Sequence, residues 1–143
     1  MNKLFHIAGT RLLRLGAIAA FGALASLPAL AQTITLSGAN EVPPVTSTAA
    51  GSGTVTVKDD GSVSAKITVS GMTATAAHIH MAAAGANGPV IVPFTKTGDN
   101  TFEAAAGAKM TPEQLAAYKA GNTYVNVHTA ANPGGEIRAQ LKP

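Results

Sequence analysis

The sequence predicts an all-β domain, an antiparallel β-sandwich or barrel with one short helix. Three observations point there. Apolar and polar residues alternate with period two in a series of short segments, as where Val63, Ala65, Ile67 and Val69 are interleaved with Ser64, Lys66 and Thr68. Turn signals separate these segments: Asp59-Asp60-Gly61, Gly88-Pro89, Gly98-Asp99-Asn100 and Asn132-Pro133-Gly134-Gly135. Only residues 112–120 carry the start and stop signals of a helix.

Each element follows from its residues. Gln32 to Ser37 sets Ile34 and Leu36 against Thr33 and Thr35, a half-buried strand. Pro43 and Pro44 remove donors and fix φ, so residues 40–45 read as extended and irregular. Gly53 to Lys58 alternates again, and the Asp-Gly turn at residues 60–61 returns the chain along Ser62 to Ser70 as a hairpin. A strand follows over about Ala77 to Met81, then a short one at Val90-Ile91-Val92 and a brief extended piece at Phe102. In the helix Thr111 is the cap, Pro112 suits the first position and Gln114 completes a capping box; Leu115 and Tyr118 share a face, and Gly121 suits the left-handed end. Thr123 to His128 turns Val125 and Val127 inward and Tyr124, Asn126 and His128 away. The last strand turns Ile137, Ala139 and Leu141 in and Glu136, Arg138 and Gln140 out.

The first 31 residues are expected to stand outside this domain. Lys3, Arg11 and Arg14 precede an apolar run from Leu15 to Leu27, and Ala29 and Ala31 are small residues where a signal peptidase reads. That is the pattern of a secretory signal peptide, residues 1–31, and the run is too short for a spanning helix of ~20 residues. The expected location is a bacterial periplasm or the medium, with no membrane span after cleavage. The chain has 10 basic and 7 acidic residues. Without Lys3, Arg11 and Arg14 the two signs balance, leaving no basic patch for nucleic acid. The absence of cysteine excludes thiolate metal sites and thiol redox chemistry.

Residues 32–143 hold three histidines, His78, His80 and His128. On a strand, His78 and His80 point one way and Ile79 the other. His128 likewise stands opposite the apolar face of its own strand. If the two strands are neighbours, three imidazoles converge, a set suited to copper, zinc, nickel or iron. The competing reading is three ordinary hydrogen-bonded histidines. Asn126 shares the face of His128 and is a candidate to orient a ligand from behind, or to bond across strands. Arg138 is a candidate for the same neighbourhood, or for a surface salt bridge. Met81 is a candidate extra ligand, although its parity is that of Ile79. No catalytic residue stands out: there is no nucleophile elbow, Glu41, Glu103, Glu113 and Glu136 are scattered, and Gly85-Ala86-Asn87-Gly88 lacks the setting of a phosphate loop.

Several blocks resemble the CHRD (chordin) domain: Glu41-Val42-Pro43-Pro44, Ala77-His78-Ile79-His80, Asn87-Gly88-Pro89-Val90, Tyr124-Val125-Asn126-Val127-His128 and Gly135-Glu136-Ile137-Arg138. They span residues 32–143 in order. Ala139 departs from the glycine usual in that family. The resemblance implies a β-sandwich of immunoglobulin-like or superoxide-dismutase-like Greek-key type. The order His-x-His, later histidine, downstream arginine is more distantly similar to copper-zinc superoxide dismutase, without its bridging histidine, zinc loop or disulfide. Three readings follow: a domain binding a single copper ion through His78, His80 and His128 for metal handling or protection, a non-metal binding or scaffold module of the cell envelope, and a copper-dependent dismutase-like enzyme.

Overall fold

The computed structural model describes residues 29–143. The signal-peptide expectation for residues 1–31 therefore lies almost wholly outside the described residues. Eight strands and one α-helix follow in order, with a short 3-10 helix Gly38–Asn40 after the first strand: β1 Gln32–Ser37, β2 Ala50–Val57, β3 Val63–Ser70, β4 Ala74–Met81, β5 Val90–Gly98, β6 Thr101–Ala104, α1 Pro112–Lys119, β7 Thr123–Thr129 and β8 Ile137–Gln140. The expected helix is there, with the capping box complete: Thr111 Oγ1 accepts from the Gln114 N–H and Gln114 Oε1 accepts from the Thr111 N–H.

The strands pair antiparallel in the order β1-β2-β3-β6-β5-β4-β7-β8, and β8 returns to β1. The all-β architecture with one short helix is as expected; where the family resemblance implied a β-sandwich, the strands close into a barrel. The β3–β6 and β4–β7 pairings are Greek-key connections. The Ser37–Arg138 pair closes the ring between β8 and β1. Closure satisfies backbone groups that a sandwich would leave on its edges. Period-two alternation is the same in both architectures, which is why the residues alone left sandwich and barrel open.

The barrel interior holds the residues that the alternation turned inward, among them Leu36, Val55, Ile67, Ile79, Val125 and Ile137, all essentially inaccessible. The outer face of β4, β7 and β8 is also buried, and that was not expected. Tyr124, Asn126 and Arg138 were expected to face away, and they do point away from the barrel axis. Yet they are only 2 %, 1 % and 2 % exposed. Three connections fold over them: residues 38–49, 82–89 and 130–136. Asn87 Nδ2 donates to Val42 O at 2.7 Å, linking the first two, and Asn126 Nδ2 donates to Gly134 O at 3.2 Å, holding the third. The molecule thus has an apolar core inside the barrel and a polar layer outside one wall of it.

Candidate metal centre

The polar layer contains the three histidines. In the β4–β7 ladder His78 lies opposite Asn126, His80 opposite Tyr124 and Ala76 opposite His128. All three rings therefore occupy one face, with His128 level with Ala76, His78 two residues further along and His80 four. On its other side β4 pairs with β5, whose register shifts between Ile79 and His80. A bulge of this kind bends a strand locally and re-aims the side chain beside it.

One nitrogen from each ring falls within 4.8 Å of the others. The hydrogen bonds identify which. His80 Nδ1–H donates to Gly88 O at 2.9 Å, and His128 Nδ1–H donates to Pro133 O at 2.9 Å. A neutral imidazole with its proton on Nδ1 presents a lone pair at Nε2. His80 Nε2 is buried and has no hydrogen-bond partner. His128 Nε2 lies 3.0 Å from His78 Nδ1. The donor set is therefore His78 Nδ1, His80 Nε2 and His128 Nε2. Nitrogens ~2.0–2.1 Å from one ion sit roughly 3.3–3.6 Å apart. The close pair need open only slightly and the wider separations close modestly.

The electrostatics favour the neutral form of His78 and His80. Burial lowers the pKa of His78, and its neighbours His128 and His80 lower it further, to about 4. Burial also lowers that of His80, with His128 and Arg138 adding to the effect, while the bond to Gly88 O and the nearby Asn126 side chain oppose it. Neutral imidazole is the form that binds metal. Loading an ion asks only that His78 move its single proton from Nδ1 to Nε2.

Around the rings stand residues of two kinds. The Tyr124 ring stacks on His80, centroids 4.9 Å apart and 7° from parallel, and the Arg138 guanidinium lies 3.4 Å from the Tyr124 centroid. Arg138 Nη1 donates to Asn87 Oδ1 at 2.9 Å and Nη2 to Ala86 O at 2.5 Å. This corrects the salt-bridge alternative: Arg138 is a buried cation held by neutral acceptors and an aromatic face. Behind Asn126 lies Glu41, 4 % exposed, with Oε1 unpartnered. Burial raises its pKa against the pull of Arg138, Asn126 and the Val42 backbone. Gly135 makes this packing possible, since a Cβ there would run into both Glu41 Oε1 and Asn126 Nδ2.

The CHRD domain family model matches residues 32–141. The chain belongs to the CHRD domain family. No curated protein and no solved structure matches it, so the more distant likeness to superoxide dismutase is not borne out.

Within this CHRD domain, the residues singled out from sequence take different places. His78, His80 and His128 come together. Asn126 and Arg138 sit in the same buried layer. Met81 follows His80 on the opposite face of β4, is half-buried, and ties its N–H to Pro89 O. Glu41, Tyr124, Asn87, Gly88, Pro133 and Gly135 were missed as parts of the site. Glu41 and Asn87 carry no periodic signal, because they lie on connections whose positions depend on the whole barrel. Tyr124 was readable by parity as a neighbour of Asn126 and His128. A cleft of about 540 Å³ between β1 and β8 has Arg138 in its wall but none of the histidines.

Proposed function

We propose that this CHRD domain binds a single transition-metal ion, copper in the first instance, through His78 Nδ1, His80 Nε2 and His128 Nε2, and serves metal handling or protection in an exported setting. One observation carries the reading. Three imidazoles converge, two with their Nδ1 protons held by backbone carbonyls, and His80 Nε2 is left buried with nothing to accept from. A buried acceptor without a partner costs roughly 1–3 kcal/mol, and a bound ion removes that cost. Imidazole nitrogen suits copper, and carbonyl-anchored rings are the usual support of histidine ligands.

Handling is favoured over turnover of a small anion. The Arg138 guanidinium is engaged with Asn87, Ala86 and Tyr124, so it is not free to guide an anion to the rings. The test is titration of purified protein with Cu(I), Cu(II) and Zn(II) beside the His78→Ala/His80→Ala/His128→Ala variant. One equivalent of copper held at sub-micromolar affinity, and lost in the variant, supports the reading. Equal weak binding by both proteins overturns it and leaves the scaffold module in its place.

A further inference from the structure

We infer that the three-histidine site selects by ionic charge and binds Cu(I) in preference to Cu(II) and Zn(II), with the buried Arg138 guanidinium as the residue that sets this preference. The inference rests on the metal-binding reading above and adds the oxidation state of the ion to it.

The argument begins with what surrounds the ligands. The three donors are neutral, so they cancel none of the charge of an ion. The groups that orient them are neutral too: the ring N–H groups of His80 and His128 are held by the carbonyls of Gly88 and Pro133. Many sites for doubly charged ions place a carboxylate behind a histidine, which spreads negative charge toward the metal. Here no carboxylate joins the histidine cluster. Glu41 stands behind Asn126, and burial raises its pKa, which favours the neutral carboxyl.

The charge that does reach the rings is positive. Arg138 is 2 % exposed and makes no ion pair within salt-bridge distance among the described residues. Its guanidinium faces Tyr124 at 3.4 Å, and that ring stacks on His80 at 4.9 Å. Guanidinium, phenol and imidazole thus form a stack that delivers a fixed cation to the back of one ligand. An incoming ion meets the field of that cation in proportion to its charge. A second positive charge about 10 Å from the guanidinium, at an effective dielectric near 20, costs about tenfold in affinity.

Coordination number points the same way. Cu(II) takes a tetragonal set of four or more N and O donors. Zn(II) bound by three histidines needs a fourth ligand from solvent. Cu(I), a closed-shell ion without geometric demand, is complete with three nitrogens. The cluster supplies three, and Met81, the one soft donor next to it in sequence, faces the other way on β4.

The experiment compares affinities under matched conditions. Purified protein is titrated without oxygen with Cu(I) against bicinchoninate, and separately with Cu(II) and Zn(II) against nitrilotriacetate. The reduction potential of the bound copper is measured on the same protein. Expected are a Cu(I) affinity at least about tenfold above that for Cu(II) or Zn(II) and a potential above that of aqueous copper. In Arg138→Gln the gap narrows and the potential falls. Arg138→Lys keeps both, because the charge remains. Lys119→Gln removes an exposed cation of the helix, outside the site, and also keeps both. The inference is overturned if Cu(II) or Zn(II) is held as tightly as Cu(I) through the three histidines, a result that leaves the metal-binding reading standing. It is also overturned if Arg138→Gln leaves gap and potential unchanged. If the Arg138 variants do not fold, the wild-type affinities and potential decide it. Failure of any ion to bind in a histidine-dependent way overturns the metal-binding reading itself.

Discussion

At the scale of single residues, the site depends on acceptors that lack donors. His80 Nε2, Asn126 Oδ1 and Glu41 Oε1 are all buried without a partner, and all belong to the layer beneath the connections. Native interiors rarely leave such atoms, and three in one layer mark a place that the fold keeps short of hydrogen-bond donors. His78 turns this into a pH dependence. Its ring titrates near 4 in the folded protein, against 6.5 ordinarily. The unfolded chain takes up the proton as pH falls through 6.5, and the folded chain refuses it until about 4. Stability is therefore full above the ordinary value and declines as pH falls between the two. The loss expected from this ring between about pH 7 and pH 4.5 is about 1–2 kcal/mol, less than the whole shift would yield because the ring is partly solvated. Urea unfolding of the metal-free protein at the two pH values measures it, and His78→Gln, which cannot titrate, flattens the decline.

At the scale of elements, strands supply the rings and connections hold them. The 82–89 connection carries Gly88 O to His80 and is itself tied down by Arg138, Asn87 and Gln140, whose Nε2 donates to Ala82 O at 3.1 Å. Gly88 has no room for a side chain, since a Cβ there would overlap Met81 O. The 130–136 connection is pinned by Glu136, which accepts from Ser47 Oγ at 2.6 Å, Thr129 Oγ1 at 2.6 Å and Asn132 Nδ2 at 3.1 Å. These bonds hold its carboxyl below the usual carboxylate range. The helix stands apart from this machinery. Its capping box was legible in Thr111-Pro112-Glu113-Gln114 because a cap needs only residues in one turn. Thr111→Ala removes the acceptor for the Gln114 N–H and is expected to cost about 1 kcal/mol. Urea or thermal unfolding checks the cost, and metal affinity is expected to stay unchanged.

At the scale of the whole molecule, the barrel makes the site a product of folding. His78 and His128 are far apart in sequence and meet only through the β4–β7 pairing, which follows a Greek-key return of the chain. An unfolded chain offers no such cluster, so an ion that binds the folded state stabilises it. At a free ion concentration about a hundredfold above Kd the gain is ~2.7 kcal/mol, which for a domain of this size raises Tm by roughly 10 °C. Differential scanning with and without copper is expected to show that rise in the wild type and none in the triple histidine variant.

The sequence by itself determined the local facts. Ile79 lies in the barrel interior, so His78 and His80 stand outside it, and Val125 and Val127 commit Asn126 and His128 in the same way. Alternation along a strand and a cap within one turn involve only neighbours in the chain, and those rules need nothing else. Tertiary structure alone decided that the sheet closes into a barrel, that β4 lies beside β7, and that the outward face is covered. It also decided which nitrogen of each ring is free, because the carbonyls of Gly88 and Pro133 arrive on connections that carry no periodic signal. The physical reason is one of range. A side chain's direction is set by its own backbone, but its neighbours and its burial are set by contacts between segments that meet only once the whole barrel has formed.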